Sequence, residues 1–177
     1  MENYTFKDRP DNQRIQLTID HYAQESDSTI ASLFLDFQWT YREMQKAYDA
    51  VLEEYGLSES KFIILMFLER AEEHSLMPSE LAEKLGASRA TITKLVNNME
   101  RDQLIRKIPS ASDKRAVLVQ MTDIGTEVLM KFLPKNFEAT KTLLNQLSKE
   151  EIDQLFYLLN KIKQGTDELN KEREQLK

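Results

Sequence analysis

The sequence predicts a mainly α-helical protein with one small β-hairpin, and three observations carry that prediction. Its 177 residues include only four Gly and four Pro, too few for an all-β fold with many tight turns. Apolar residues recur every three or four positions over most of the chain beyond residue 26. Residues 104–121 break that rhythm, with two short apolar runs around a polar turn.

The elements follow in order. Residues 1–26 mix polar and charged side chains with isolated apolar ones, and read as an extension that is partly disordered or ordered only by docking on a partner. From Asp27, the residues Ile30, Leu33, Phe34, Phe37, Tyr41, Met44, Tyr48, Val51, Leu52 and Tyr55 keep helical time until Gly56. That predicts a helix of roughly 28 residues, about 42 Å long. It is longer than a small core needs, so it is expected to pack against another chain as well. Ser58 to Lys61 opens a second helix with Phe62, Leu65, Met66 and Leu68 on its apolar face. Pro78 suits the first turn of a third, whose inner face is Leu81, Ala82 and Leu85 and which Gly86 ends. Ser88 caps a fourth helix carrying the stripe Ile92, Leu95, Val96 and Met99.

Leu104–Ile108 and Ala116–Met121 read as strands flanking "PSASDKR". Thr122 caps a helix running toward Leu133, where Pro134 is expected to break or restart it. A last helix starts near Ser148 with Ile152, Leu155, Phe156, Leu159 and Ile162, and the charged tail after Gly165 extends it or frays. Helix, Gly turn, helix and hairpin in this order make a winged helix-turn-helix.

Composition excludes several classes. Hydrophobic residues at 41% and charged residues at 31% indicate a soluble globular protein. No apolar run is long enough to span a membrane, and "MENYTFKDRPDNQRIQ" lacks a signal-peptide core, so a cytoplasmic protein with no membrane partner is expected. The absence of Cys excludes a disulfide framework, a zinc-thiolate site and a thiol switch, while His21 and His74 lie too far apart in sequence to suggest a metal site. No cofactor is implied, and without a nucleophile motif or phosphate loop an enzyme is not expected. The net charge of −6 opposes indiscriminate nucleic-acid binding, but between Pro78 and Met121 eight Lys/Arg face five Asp/Glu, so positive charge concentrates in this segment.

The stretch "GASRATITKLVNN" (residues 86–98) explains why. At about 100° per residue, Leu95, Val96 and Met99 fall close to Ile92, while Ala90, Lys94, Asn97 and Arg101 lie near the opposite pole. Thr93 lies on one flank of that face, Thr91 and Asn98 on the other, and Arg89 in the first turn. Arg and Lys suit guanine O6/N7, Asn can pair with adenine, and Thr can bond or touch a thymine methyl. The helix N-terminus at Ser88 favours a phosphate. The candidate DNA contacts are therefore Ser88, Arg89, Thr91, Thr93, Lys94, Asn97 and Asn98. At the hairpin tip, Lys114 and Arg115 join them, with Asp113 bracing the turn or orienting Arg115 toward a minor groove. Arg106 and Lys107 touch phosphates or merely solvate their strand.

These residues resemble the MarR family of bacterial transcriptional regulators. The likeness is carried by "PSELAEKLGASRATITKLVNNMERDQLIRK", by "SDKRAVLVQMT" with its Asp-x-Arg, and by "MTDIG", and it spans roughly residues 28 to 165. Within the family the chain most resembles the multidrug-efflux repressors of the MprA/EmrR type, through "GLSESKFIILMFLERAEEHSLMPSELAEKLGASR" and "FLPKNFEATKTLLNQLSKEEIDQL". The resemblance implies a homodimer, a palindromic double-stranded operator, and repression relieved by a small aromatic or lipophilic effector. It divides the chain into a polar extension (1–26), a dimerisation helix (27–57), a winged helix-turn-helix domain (58–121), C-terminal helices completing the dimerisation region (122–170) and a charged tail (171–177). Relatives that sense oxidants through cysteine or bind zinc are poor guides to a chain with no Cys and two His.

The aromatic-rich long helix suits both dimerisation and an effector pocket. Phe37, Trp39, Tyr41, Met44 and Tyr48, with Phe62 and Met66, are candidates for the pocket wall, although for any single one of them ordinary core or dimer packing is the commoner role. The alternative function is a winged-helix module that binds protein without an operator.

Overall fold

The computed structural model describes residues 10–22, 27–110 and 117–176. The order of elements is α1 (Asn12–Tyr22), α2 (Ser28–Glu53), α3 (Glu59–Glu69), a 3-10 turn (Glu72–His74), β1 (Ser75–Leu76), α4 (Pro78–Leu85), α5 (Arg89–Arg101), β2 (Ile105–Pro109), β3 (Val117–Met121), α6 (Asp123–Leu144) and α7 (Lys149–Gln175). The mainly helical architecture with a winged helix-turn-helix is the one the sequence predicts.

Side-chain caps set most of the helix starts. Asp27 accepts from the Thr29 N–H at 2.7 Å, Thr122 from Gly125 at 3.0 Å and Ser148 from Glu151 at 3.2 Å. Glu151 reciprocates by accepting from the Ser148 N–H at 2.7 Å, which completes a capping box.

One core joins the winged helix-turn-helix to the long helices. Leu52 of α2, Ile64, Leu65 and Leu68 of α3, Leu81 of α4, and Ile92, Val96 and Met99 of α5 are buried together with Ile105, Val119, Leu129 and Phe132. Each such side chain contributes about 1.5–3 kcal/mol by leaving water. Phe132 of α6 receives the edges or faces of Tyr55 and Phe62, with ring centroids 5.4 and 4.9 Å away. At the start of α6, Gly125 lies directly against the Leu104 carbonyl oxygen, where a Cβ has no room. The same oxygen accepts from the Thr122 N–H at 3.2 Å, and the Thr122 hydroxyl donates to the Gln103 carbonyl at 2.6 Å. The exit of α5 and the entry of α6 are thus one hydrogen-bonded junction.

Four features differ from the sequence expectation or resolve it. Within the expected extension, α1 forms and docks on α2 of its own chain, burying Ile15 and Ile19 and bonding Asn12 Oδ1 to the Ser32 hydroxyl at 2.8 Å. The sheet gains a third strand: β1 pairs antiparallel with β3, giving the order β1-β3-β2. Pro134 does not interrupt α6, which runs through it to Leu144. Proline denies a hydrogen bond only to the Met130 carbonyl, on a residue that is 45% exposed, while buried Leu129 and Phe132 hold the helix in place. Finally, α7 continues past Gly165 to Gln175 rather than fraying, yet buries none of its residues in the single chain. No helix among the described residues is long and apolar enough to cross a membrane.

Candidate nucleic-acid interface

Local physics sets the two helices of the motif. Pro78 opens α4, and the Glu80 carboxylate accepts from the Met77 N–H at 2.7 Å. Gly86 then turns the chain in the left-handed region, φ +63°, which side-chain-bearing residues rarely adopt. The Ala87 N–H returns to the Ala82 carbonyl at 3.0 Å, closing α4. Ser88 caps α5 by accepting from the Thr91 N–H at 3.1 Å. Beneath α5, the side chains of Ile92, Val96 and Met99 are buried and Leu95 is half-buried, so the helix is mounted by its back.

The outward face carries most of the expected contacts, in different states of engagement. Ser88, Arg89, Thr91, Thr93, Lys94 and Asn97 are exposed, whereas Asn98 is half-buried on the flank. Arg89 and Lys94 have no partner among the described residues. The Ser88 and Thr91 hydroxyls bond each other at 2.8 Å, and Thr93 donates to the Arg89 carbonyl at 2.9 Å. These hydroxyls already serve the helix and keep only their remaining lone pairs or hydrogens for any further partner. Asn97 Oδ1 accepts from Lys107 Nζ at 2.7 Å. Asp113, Lys114 and Arg115 lie outside the described residues.

Strand parity decides what the cations of the wing do. Ile105, Lys107 and Pro109 pair with Met121, Val119 and Val117, so their side chains share one face of the sheet. That face buries Ile105, Val119 and Met121, and it directs Lys107 back onto α5. Arg106 pairs with Gln120 on the other face, and its Nε and Nη2 both donate to Gln120 Oε1, at 2.9 and 2.7 Å. Gln120 Nε2 in turn donates to the Glu73 carbonyl at 3.0 Å, stapling the wing to the turn before β1. Neither lysine nor arginine here merely solvates its strand. In the sequence, the only signal for the direction of Lys107 is that it stands two positions beyond apolar Ile105.

Two further details bound the site. Lys61 Nζ bonds Asp102 Oδ2 at 2.9 Å and the Gly56 carbonyl at 3.1 Å, tying the end of α5 to the start of α3. That hydrogen bond holds the Asp102 carboxyl below its ordinary value, against an opposing desolvation. Arg101 Nε stands 3.8 Å from Asp102 Oδ1.

Above the motif, two clefts open between α2 and α6. One of about 380 Å³ is lined by Ala47, Tyr48, Val51, Glu54, Lys135, Glu138, Ala139, Thr142 and Leu143. The other, about 250 Å³, is lined by Met44, Gln45, Tyr48, Glu59, Thr140, Leu143 and Leu144. Tyr48 belongs to both, and its hydroxyl donates to Asn136 Oδ1 at 2.5 Å. Burial pushes the Tyr48 phenol up, and Glu59 and Asp49 add to that effect. Of the expected pocket residues, Met44 and Tyr48 therefore line the clefts. Phe62 and Met66 pack against the core instead, Phe37 and Tyr41 are exposed, and Trp39 is half-buried away from both linings.

Comparison with known proteins identifies this arrangement. The MarR family model matches residues 55–116, from just after α2 to the residue before β3. The transcriptional repressor YetL of Bacillus subtilis is 36% identical over 121 residues, covering 66% of this chain and 72% of YetL. The chain belongs to the MarR family. The transcriptional repressor MprA of Escherichia coli K12 is 33% identical over 122 residues, 69% of each protein. MarR-family structures share the fold: AbsC of Streptomyces coelicolor superposes with a TM-score of 0.70 at 21% identity, over 80% of this chain and 97% of AbsC. MepR of S. aureus, solved bound to DNA, superposes with a TM-score of 0.63 at 27% identity, over 73% of this chain and 94% of MepR. The MarR family comprises transcriptional regulators, and this chain is one of them rather than an enzyme.

Proposed function

We infer that the chain is a homodimeric repressor that binds a palindromic operator in the cytoplasm and is released by a small aromatic or lipophilic effector. The observation that carries the DNA reading is the outer face of α5. It presents Arg89 and Lys94 without partners among the described residues, holds no acid from Arg89 to Met99, and is fixed by three buried residues behind it. In this reading Ser88 and Thr91 set a phosphate at the helix N-terminus, and Arg89, Thr93, Lys94, Asn97 and Asn98 face base edges or phosphates. Lys114 and Arg115, supported by Asp113, extend the footprint into a neighbouring minor groove.

Dimerisation is supported by α7, where Leu155, Phe156, Leu158, Leu159 and Ile162 are exposed in the single chain. A second copy covering 27–57 and 122–170 buries this apolar surface. It would set two α5 helices about 34 Å apart, one turn of DNA. The clefts beside Tyr48 suit an effector that changes that separation, shifting the dimer between binding-competent and incompetent populations. The resemblance of the sequence to multidrug-efflux repressors makes an efflux-pump gene the first regulated target to examine.

The test is a gel-shift titration against duplexes selected from a random pool by the wild-type protein. Arg89→Ala and Lys94→Ala should each weaken binding about tenfold while the dimer stays folded. Unchanged binding in both variants sinks this assignment of the helix. Repeating the titration with aromatic compounds tests release.

A further inference from the structure

The first wing strand carries a cation whose position gives it a second kind of role. Lys107 Nζ lies 2.6 Å from Glu100 Oε2 and 2.7 Å from Asn97 Oδ1, so one ammonium bridges two residues a turn apart on α5. An ammonium only donates, so the Asn97 amide must turn its oxygen to the wing. Glu100 is the first acid on α5 and lies one turn beyond Asn97, at the edge of the face that holds Lys94 and Asn97.

We propose that Lys107 is a positioning residue for DNA binding: it neutralises Glu100 and fixes Asn97 from behind, rather than gripping a phosphate itself. This rests on the reading of α5 as the DNA-contacting helix. The pair is partly exposed, with side chains 35% and 40% accessible, and a pair of that kind adds little to folding stability. Its effect is local. Next to a polyanion, an unpaired carboxylate opposes every phosphate within a Debye length, and a paired one does not. Strand parity places Lys107 on the α5 side of the wing, because it shares its face with buried Ile105 and pairs in register with buried Val119.

A phosphate contact and a positioning role predict opposite outcomes in a double-mutant cycle. With the duplex selected by the wild-type protein as probe, Lys107→Met should bind about tenfold more weakly, an unopposed charge at a polar interface. Adding Glu100→Gln to that variant should restore affinity to within about threefold of wild type, since the charge needing neutralisation is gone. Asn97→Ala should lose less in the Lys107→Met background than in the wild type. The slope of log K against log salt should be unchanged in the double variant, whereas loss of a phosphate contact lowers it by about 0.9 per site. Circular-dichroism melts of all the variants establish that each is folded. If the double variant stays as weak as Lys107→Met, with a reduced salt slope, Lys107 is a phosphate contact and the proposal is overturned. If the double variant stays weak with an unchanged slope, the lysine braces the wing without neutralising Glu100, which also overturns it. Failure of the wild type to retain any duplex defeats the parent reading instead, and is recognised before a variant is made.

Discussion

Replacing Gly125 by Ala tests the junction that fastens the DNA-binding unit to the long helices. A Cβ at this position would be driven into the Leu104 carbonyl oxygen and come within 3.0 Å of Met121 Cγ and 3.1 Å of Leu104 C. Two of these three atoms are backbone, and Leu104 is pinned on both sides, its N–H donating to Met99 at 2.9 Å and its carbonyl accepting from Thr122 at 3.2 Å. A rotamer change cannot relieve the clash, so α6 must tilt away from Leu104 or the α5 exit must open. Overpacking usually costs about 1–3 kcal/mol, and a backbone obstacle puts this site at the upper end. For a chain of this length, about 3 kcal/mol corresponds to a melting point roughly 6–12 °C lower. The substitution has an internal control: Gly165 sits in α7 with nothing within 4 Å of an added Cβ in the single chain. There Ala should stabilise by about 0.5–1 kcal/mol, through lower backbone freedom in the unfolded chain. Thermal melts of both variants at equal protein concentration make the comparison, because association affects stability. A melting point for Gly125→Ala within about 2 °C of wild type, or a loss shared equally by Gly165→Ala, would refute the close-approach reasoning.

Three further outcomes follow from the same structure. Gln103 ends α5 with φ +61°, so Gln103→Gly should stabilise by about 0.5–1 kcal/mol in a denaturant titration. Asp102 has its carboxyl pKa lowered by Lys61, so its contribution is present above the unfolded value near 3.8 and is lost as pH falls through the lower folded value. Denaturation midpoints of wild type and Asp102→Asn should therefore differ at neutral pH by at most about 1 kcal/mol, after solvent screening, and converge in strong acid. On α7, Phe156 is 70% exposed in the single chain, so Phe156→Asp should dissociate the dimer in sedimentation velocity while leaving monomer helicity intact.

What the sequence made legible was whatever local chemistry alone determines. Ser88, Gly86 and the stripe from Ile92 to Met99 specify α5 without reference to any other element, and the structure places them as periodicity predicts. Other features depend on a neighbour. Ile15, Leu17 and Ile19 alternate along a polar stretch, and only the lie of α2 selects Ile15 and Ile19 as a helical face while Leu17 stays exposed. The two-residue strand Ser75–Leu76 exists because β3 offers an edge. Pro134 carries a strong local signal against helix, and tertiary burial of Leu129 and Phe132 overrides it. Lys107 is the instructive case at the site. Its charge is obvious from sequence, but whether it faces DNA or α5 depends on a register visible only once Ile105 is paired with Met121.

Sorting the cations by what they touch leads to a number that can be measured. Lys84 stands over the Phe67 ring at 6.0 Å, Arg101 is near Asp102, Arg106 is held by Gln120, and Lys107 is held by Asn97 and Glu100. Of the eight cations between Pro78 and Met121, Arg89 and Lys94 are then left for phosphates or bases among the described residues, while Lys114 and Arg115, expected from the sequence at the hairpin tip, lie outside them. Each phosphate neutralised on duplex DNA contributes about 0.9 to the slope of log K against log salt. If Arg89 and Lys94 each neutralise a phosphate, a dimer using only this pair should show a slope near about −4, and one that also uses both tip cations near about −7. Fluorescence anisotropy over a range of salt concentrations distinguishes the two, and Arg115→Ala should move the steeper value toward the shallower one by about 2. A slope well beyond about −7 would mean that cations held here by protein partners let go of them on DNA, and the division of labour assigned to Arg106 and Lys107 would fail with it.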